Sequence, residues 1–135
     1  MSYRVNPREL EAVSRLAGQQ RYEYFLNKVA DFEELWSVRT DDGWTMLGDD
    51  EGHQCFPVWP AQAFAVLYCE GTAPDLQPTS ISLREWMTKW LPGLERDNRR
   101  VAVFPTTGNQ GVVVEPAAMS VSLQASLGDV EDREV

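Results

Sequence analysis

The sequence predicts an α+β fold in which helices pack on an antiparallel sheet formed by a three-strand meander and a C-terminal hairpin. Three observations predict it. Segments of helical and alternating periodicity follow in the order ααβββααββα. The alternating segments are short and bounded by turn residues, which favours hairpins over crossover units. The 135 residues, 43% hydrophobic and 24% charged, suit a single domain with its own core.

Two helices are predicted at the start of the chain. Asn6 can cap the first helix, and Pro7 fits its first helical position. Glu9 stands where a capping box needs a glutamate, and Gly18 is the expected stop. The second helix carries an apolar face of helical spacing and is expected to end near Asp31.

A meander of three strands is predicted next. Its turns are Asp41–Gly43 and Asp49–Gly52, both rich in aspartate and glycine. Pro57 has no N–H to donate to a ladder, so the third strand is expected to end there or to lie at an edge. The three strands are Leu35–Arg39, Trp44–Leu47 and His53–Phe56.

Two more helices and a long loop are expected in the middle of the chain. The segment Pro60–Glu70 is apolar nearly all round, which is typical of a helix buried on several sides. A loop is predicted over Thr72–Ser80, followed by a helix with a capping box at Ser82. Pro92 lies inside that helical pattern and predicts a kink or break near Leu91.

The C-terminal part is predicted to be a hairpin of Arg100–Phe104 and Gly111–Glu115 followed by a helix over Pro116–Leu127. The domain is expected to cover residues 1–128, with an acidic tail at 129–135. The last helix can dock on its own domain or on a second copy, so monomer and homodimer are both open.

Charge and hydropathy narrow the class of partner and the compartment. The net charge of −9 argues against a nucleic-acid binder. It is typical of an acidic protein that is simply soluble, and the alternative is that it attracts a basic protein partner. The longest apolar run, Ala63–Cys69, is far too short to span a membrane, and the N-terminus lacks the pattern of a signal peptide. A cytoplasmic location is expected, with Cys55 and Cys69 as free thiols.

The sequence lacks the residues that several common kinds of metal site, active site and nucleotide-binding site require. His53 is the single histidine, which excludes a multi-histidine metal site, and no nucleophile elbow, P-loop or dinucleotide fingerprint is present. No catalytic residue, metal or cofactor is therefore predicted. Cys55 lies two residues from His53 on a predicted strand, so the imidazole could activate the thiol. The alternative is that Cys55 packs inside the sheet as a small hydrophobe.

The junction Phe56–Pro60 contains the most specific local pattern. Two prolines stiffen it, and Pro60 fits the first position of a helix, which makes Trp59 the N-cap. Tryptophan has no oxygen to cap a helix, so the amides of Ala61 and Gln62 are expected to bind an anion, a remote carboxylate or water.

The spacing of several motifs resembles a family of small bacterial proteins catalogued as domain of unknown function number 2750, over about residues 8–119. The resemblance implies one bacterial domain and carries no activity, cofactor or site residue. The motifs are W-T-M-L-G-D-D-E-G from Trp44, P-V-W-P from Pro57 with Phe64-Ala65, I-S-L from Ile81 with Trp90-Leu-Pro92, and V-A-V-F-P from Val101.

Three functions are compatible with these patterns. The leading hypothesis is a non-enzymatic interaction or regulatory protein of the immunity type, which acts on a basic protein partner. The second is a small-molecule sensor with a pocket near Trp59 and the Pro60 helix start. The third and weakest is a thiol-dependent enzyme that uses Cys55 and His53.

Overall fold

A computed structural model describes residues 4–72, 75–106 and 111–134, with side chains described up to residue 130. The predicted α+β class with antiparallel pairing is confirmed. The helices are α1 (Pro7–Ser14), α2 (Gly18–Phe32), α3 (Gln62–Thr72), α4 (Leu83–Glu85), a π-helical segment (Trp86–Trp90), α5 (Leu91–Arg96) and α6 (Pro116–Glu134). The strands are β1 (Glu34–Thr40), β2 (Gly43–Trp44), β3 (Leu47–Gly48), β4 (Gln54–Val58), β5 (Gln77–Ser82), β6 (Arg100–Val103) and β7 (Val112–Val114).

The strands form two sheets, in the orders β2-β1-β5 and β3-β4-β6-β7. A pair of backbone hydrogen bonds between Trp36 and Trp59, both 2.8 Å long, joins β1 to the end of β4. The predicted C-terminal hairpin is confirmed by the antiparallel pairing of β6 with β7. The pairing of β4 with β6 is parallel, which the sequence patterns did not predict.

The predicted meander is divided between the two sheets. Its first hairpin pairs Arg39 with Trp44 as expected. The prediction of one continuous strand from Trp44 to Leu47 is wrong, because the chain leaves the first sheet and Leu47 pairs with Cys55 in the second. Trp59 pairs with Trp36 on the same edge of β1, so this edge is already occupied and β2 cannot extend further along it.

The prediction of a loop over Thr72–Ser80 is wrong for its second half, which belongs to β5. This strand pairs antiparallel with β1, from Glu34 opposite Ser82 to Arg39 opposite Gln77. Pro78 argues against a strand in the sequence. However, β5 lies at the edge of its sheet, where proline is tolerated.

The expectation that Pro57 ends its strand or lies at an edge is also wrong, since β4 continues through Pro57 to Val58. β3 pairs only with Gln54 and Cys55, so no antiparallel neighbour requires an N–H at residue 57. The Pro57 carbonyl accepts a 2.6 Å hydrogen bond from the buried Ser37 hydroxyl, which ties β4 to β1.

The N-terminal cap of α1 is confirmed by a 2.9 Å hydrogen bond from the Glu9 amide to the Asn6 side chain. The predicted stop at Gly18 is wrong, because α1 ends at Ser14 and Gly18 opens α2. A Cβ at Gly18 would lie 2.8 Å from the Val112 side chain, so this glycine permits close packing of α2 on β7.

The kink predicted near Leu91 is replaced by the π-helical segment, which joins α4 and α5. Leu91 donates its N–H to the carbonyl of Trp86, five residues back. Pro92 has no N–H, so the carbonyl four residues before it cannot receive the usual α-helical hydrogen bond. The wider π turn leaves room for this carbonyl.

α6 docks on its own domain, where it packs against α2 and α5. Met119 and Leu123 are fully buried there. The prediction that this helix ends at Leu127 is wrong, since α6 runs to Glu134 and includes most of the acidic tail. Gly128 does not adopt the left-handed conformation of a helix stop.

The core lies between the two sheets and the helices that cover them. None of the helices in the described ranges has the length and apolar character needed to cross a membrane. The largest fully buried side chains are Trp59, Trp86, Phe25, Phe56, Phe104, Leu35, Met119 and Leu123.

Candidate functional site

Trp59 is an anchor of the core and not the N-cap of a helix. The helix predicted from Pro60 begins at Gln62, so the N-cap prediction for Trp59 is wrong. The Trp59 carbonyl accepts the Trp36 N–H at 2.8 Å, whereas the carbonyl of an N-cap accepts the first hydrogen bond of its helix. Its side chain is 0% exposed, and the indole N–H donates to the Pro105 carbonyl at 2.9 Å. Of the other two predicted anion-site residues, Ala61 is buried and Gln62 is exposed.

A cavity of about 320 Å³ lies beside Trp59, and we call it the aromatic cavity. The Trp59 and Tyr68 rings lie 4.9 Å apart between their centroids. On another part of the wall, the Phe64 and Phe104 rings lie 4.6 Å apart with their planes at 63°. Its lining residues are Ser14, Trp59, Phe64, Leu67, Tyr68, Phe104, Pro105 and Thr106.

The polar groups at this cavity are partly used inside the protein. The Trp59 indole N–H is bonded to Pro105, and the Ser14 hydroxyl donates to the Leu10 carbonyl at 2.7 Å. The surface that remains is dominated by aromatic and aliphatic carbon, and ligand pockets of this size class are usually apolar with few polar groups. The cavity therefore fits a small apolar molecule.

A second depression, the α1–α3 groove, has a volume of about 660 Å³ and lies next to the aromatic cavity. Leu67 lines both spaces, and its side chain is 46% exposed. The groove is bounded by the start of the described chain and by α3. Its lining residues are Arg4, Val5, Leu10, Trp36, Gln62, Ala63, Val66, Leu67 and Glu70.

The backbone at one wall of the aromatic cavity is unusual. Phe104 has a φ of 61°, a left-handed value that costs a bulky residue free energy. Its N–H donates to the Val58 carbonyl at 2.8 Å, which holds this conformation against β4. The turn thus carries the Phe104 ring to the wall of the cavity and the Pro105 carbonyl to Trp59.

A cluster of charges lies at the other end of the second sheet, and we call it the Arg100 cluster. Arg100 contacts Asp49 at 3.2 Å, Glu51 at 3.1 Å and Glu115 at 3.1 Å. The His53 Nδ1 atom is 3.6 Å from the Asp49 carboxylate and makes no hydrogen bond. The cluster ties the turn before β4 to β6 and to the end of β7.

The Asp49 carboxylate is the most constrained group of this cluster, with a side chain only 5% exposed. Burial tends to raise its pKa. Hydrogen bonds from the amides of His53 and Glu51, together with the charges of His53 and Arg100, outweigh that effect and lower the pKa below 3.8. The carboxylate therefore stabilises the folded state in its ionised form.

We expect acid to remove this stabilisation. A carboxyl whose pKa is lowered by folding contributes fully above its unfolded pKa, near 3.8, and loses that contribution as the pH falls through the folded value. Urea unfolding at pH 7 and pH 3 should show a smaller loss of stability in Asp49→Asn than in the wild type. Asp50→Asn, at an exposed neighbouring position, is the control. Equal pH dependence in Asp49→Asn and the wild type would contradict the assignment.

The predicted Cys55–His53 pair consists of a buried core thiol and a half-buried histidine. Cys55 is 0% exposed, and burial together with the charge of Asp49 raises the pKa of its thiol to about 11, despite the opposing charge of Arg100. A thiol with this pKa stays protonated at neutral pH and is a poor nucleophile. In the described ranges, no three His, Cys, Asp or Glu residues form a group that could hold a metal ion.

The sequence pointed to Trp59 but missed most of the cavity around it. Phe64 and Tyr68 are four residues apart on α3, a helical spacing that was visible in the sequence. Ser14 and Phe104 come from distant segments, and no local sequence pattern predicts that both line the same cavity. The left-handed turn at Phe104 also has no glycine to signal it.

Comparison with known families adds one match. The family model described as "Protein of unknown function (DUF2750)" matches residues 22–123, which confirms the resemblance seen in the sequence motifs. The search among curated proteins found no match. The matched range contains most of the aromatic cavity, whereas Ser14 lies before it.

Proposed function

The chain belongs to the DUF2750 family, whose function is unknown, and we propose that it is a binding domain for a small apolar molecule. The aromatic cavity is the observation that carries this proposal. Its volume of about 320 Å³ lies within the range of small-ligand pockets, which begins at roughly 300 Å³.

The walls of the cavity favour an apolar or aromatic ligand. Tyr68 is half-buried and offers a ring that a ligand can contact, whereas Trp59 and Phe104 are buried and form the rigid backing of the wall. The Trp59 ring is fixed by its hydrogen bond to Pro105 and by the bridge to Trp36. A wall held in this way does not need to reorganise on binding, which limits the entropic cost.

The test is the binding of 2-naphthol, a compact aromatic probe, followed by fluorescence anisotropy. Ser14→Phe should weaken binding at least about tenfold, because the new ring extends from α1 into the cavity. Ala12→Phe is the matched control, since Ala12 is exposed on the same helix and lines neither space. No saturable binding to the wild type, or equal binding to both variants, would contradict the proposal.

A basic protein partner is the second candidate function. It is favoured by the net charge of −9 and by the exposed acids Asp41, Asp42 and Asp50 in the turns that flank β2 and β3. Charges of this kind accelerate encounter with an oppositely charged protein. Affinity capture from lysate should then recover a basic protein at low salt and lose it at high salt. Charge reversal to Asp41→Lys/Asp42→Lys should reduce recovery, and undiminished capture would count against this candidate.

We also place the protein in the cytoplasm. Both cysteines are free and buried, which is the usual state of thiols in a reducing compartment.

A further inference from the structure

We propose that the aromatic cavity and the α1–α3 groove form one trough that binds an unbranched acyl chain. The proposal rests on the proposed function and goes beyond it by naming the ligand class. Leu67 lines both spaces and is the residue they share. Since its side chain is 46% exposed, a change of rotamer can open the passage without disturbing the core.

The trough follows α1 and α3, which lie on its two sides. On α1, Leu10 lines the groove and Ser14 lines the cavity one helical turn further. On α3, the groove residues run from Gln62 to Glu70, and the cavity residues Phe64 and Tyr68 lie within that stretch. The two spaces therefore follow one another along α1 but lie side by side along α3, where they meet at Leu67. The eight residues of α1 correspond to a length of about 12 Å.

The cavity and the groove differ in polarity. In the cavity, the Trp59 indole and the Ser14 hydroxyl already bond to carbonyls within the protein. Along the rim of the groove, Arg4, Gln62 and Glu70 are polar and exposed. A molecule with an apolar tail and a polar head matches this arrangement, with its tail in the cavity and its head at the rim of the groove.

The middle of the trough is lined by aliphatic side chains. Val5, Leu10 and Val66 form the walls of the groove together with Leu67. Such walls offer no hydrogen bonds to a ligand, so each methylene group buried against them favours binding. A compact aromatic molecule would leave this part of the trough empty, whereas an extended chain would fill it.

The experiment compares a long probe with a compact one on the full chain. cis-Parinaric acid, a fluorescent fatty acid, should bind, and decanoic acid and 1-decanol should both displace it if the chain and not the head group is recognised. Ala63→Phe should weaken cis-parinaric acid at least about tenfold and leave 2-naphthol unchanged, because Ala63 lines the groove and not the cavity.

Gln62→Phe is the second blocking variant. Gln62 is exposed, so its replacement does not threaten folding, and it should also weaken the long probe selectively. Ala12→Phe is again the control and should bind both probes normally. Binding of 2-naphthol without cis-parinaric acid, or equal cis-parinaric acid affinity in the wild type and both groove variants, would overturn the trough and leave the proposed function standing. Failure of both probes would overturn both.

Discussion

Replacing Trp59 with alanine should lower the free energy of unfolding by about 4 kcal/mol, the largest effect that we expect from a single side chain. The indole is fully buried, its ring lies 4.9 Å from that of Tyr68, and its N–H donates to Pro105. Alanine would leave a void beside Tyr68 on α3 and would leave the Pro105 carbonyl without its donor. Urea unfolding, with the slope compared between variants, measures the change.

Trp59→Phe separates the two contributions. Phenylalanine keeps most of the apolar volume but cannot donate to Pro105, so a loss of about 2 kcal/mol is expected. If Trp59→Ala lost less than about 1 kcal/mol, Trp59 would not be the anchor that its burial indicates.

Gly111→Ala should cost about 4 kcal/mol, because two penalties coincide there. Gly111 has a φ of 82°, which alanine adopts only with strain. A Cβ at this position would also overlap the Val103 carbonyl oxygen and lie 2.9 Å from the Pro105 nitrogen. Neither neighbour is a flexible side chain, so the hairpin of β6 and β7 would have to shift.

Gly52→Ala is the control that separates these penalties. Gly52 has nearly the same φ, 84°, but a Cβ there meets nothing within 4 Å. It should therefore lose about 1 kcal/mol, from backbone strain alone. Equal losses in thermal or urea unfolding would show that the overlap at Gly111 is relieved without cost.

Local signals predicted the parts of the fold that local chemistry determines. The cap at Asn6 and the cap at Ser82 both form the expected hydrogen bonds. The β1–β2 hairpin likewise follows from its turn residues. Each of these features depends on residues within a few positions of one another, so the sequence is sufficient to recognise them.

Features that depend on distant segments were not predictable in this way. β5 contains Pro78 and is a strand because β1 offers it an edge along six residues. The N-cap prediction for Trp59 was wrong because Trp36, far away in sequence, occupies the Trp59 carbonyl and the helix begins later, at Gln62. The aromatic cavity is formed by residues of α1, α3 and the turn at Phe104, and only the α3 residues have a recognisable spacing in the sequence.

The parallel pairing of β4 with β6 also determines when the second sheet can form during synthesis of the chain. Cys55 pairs with Arg100 and Val58 with Val103, so one edge of β4 has no partner until the ribosome has released β6. A nascent chain that stops at α5 therefore exposes an unpaired strand rich in buried residues, which is a site for misassociation. Completion of the second sheet therefore waits for the synthesis of β6, well after that of the N-terminal half.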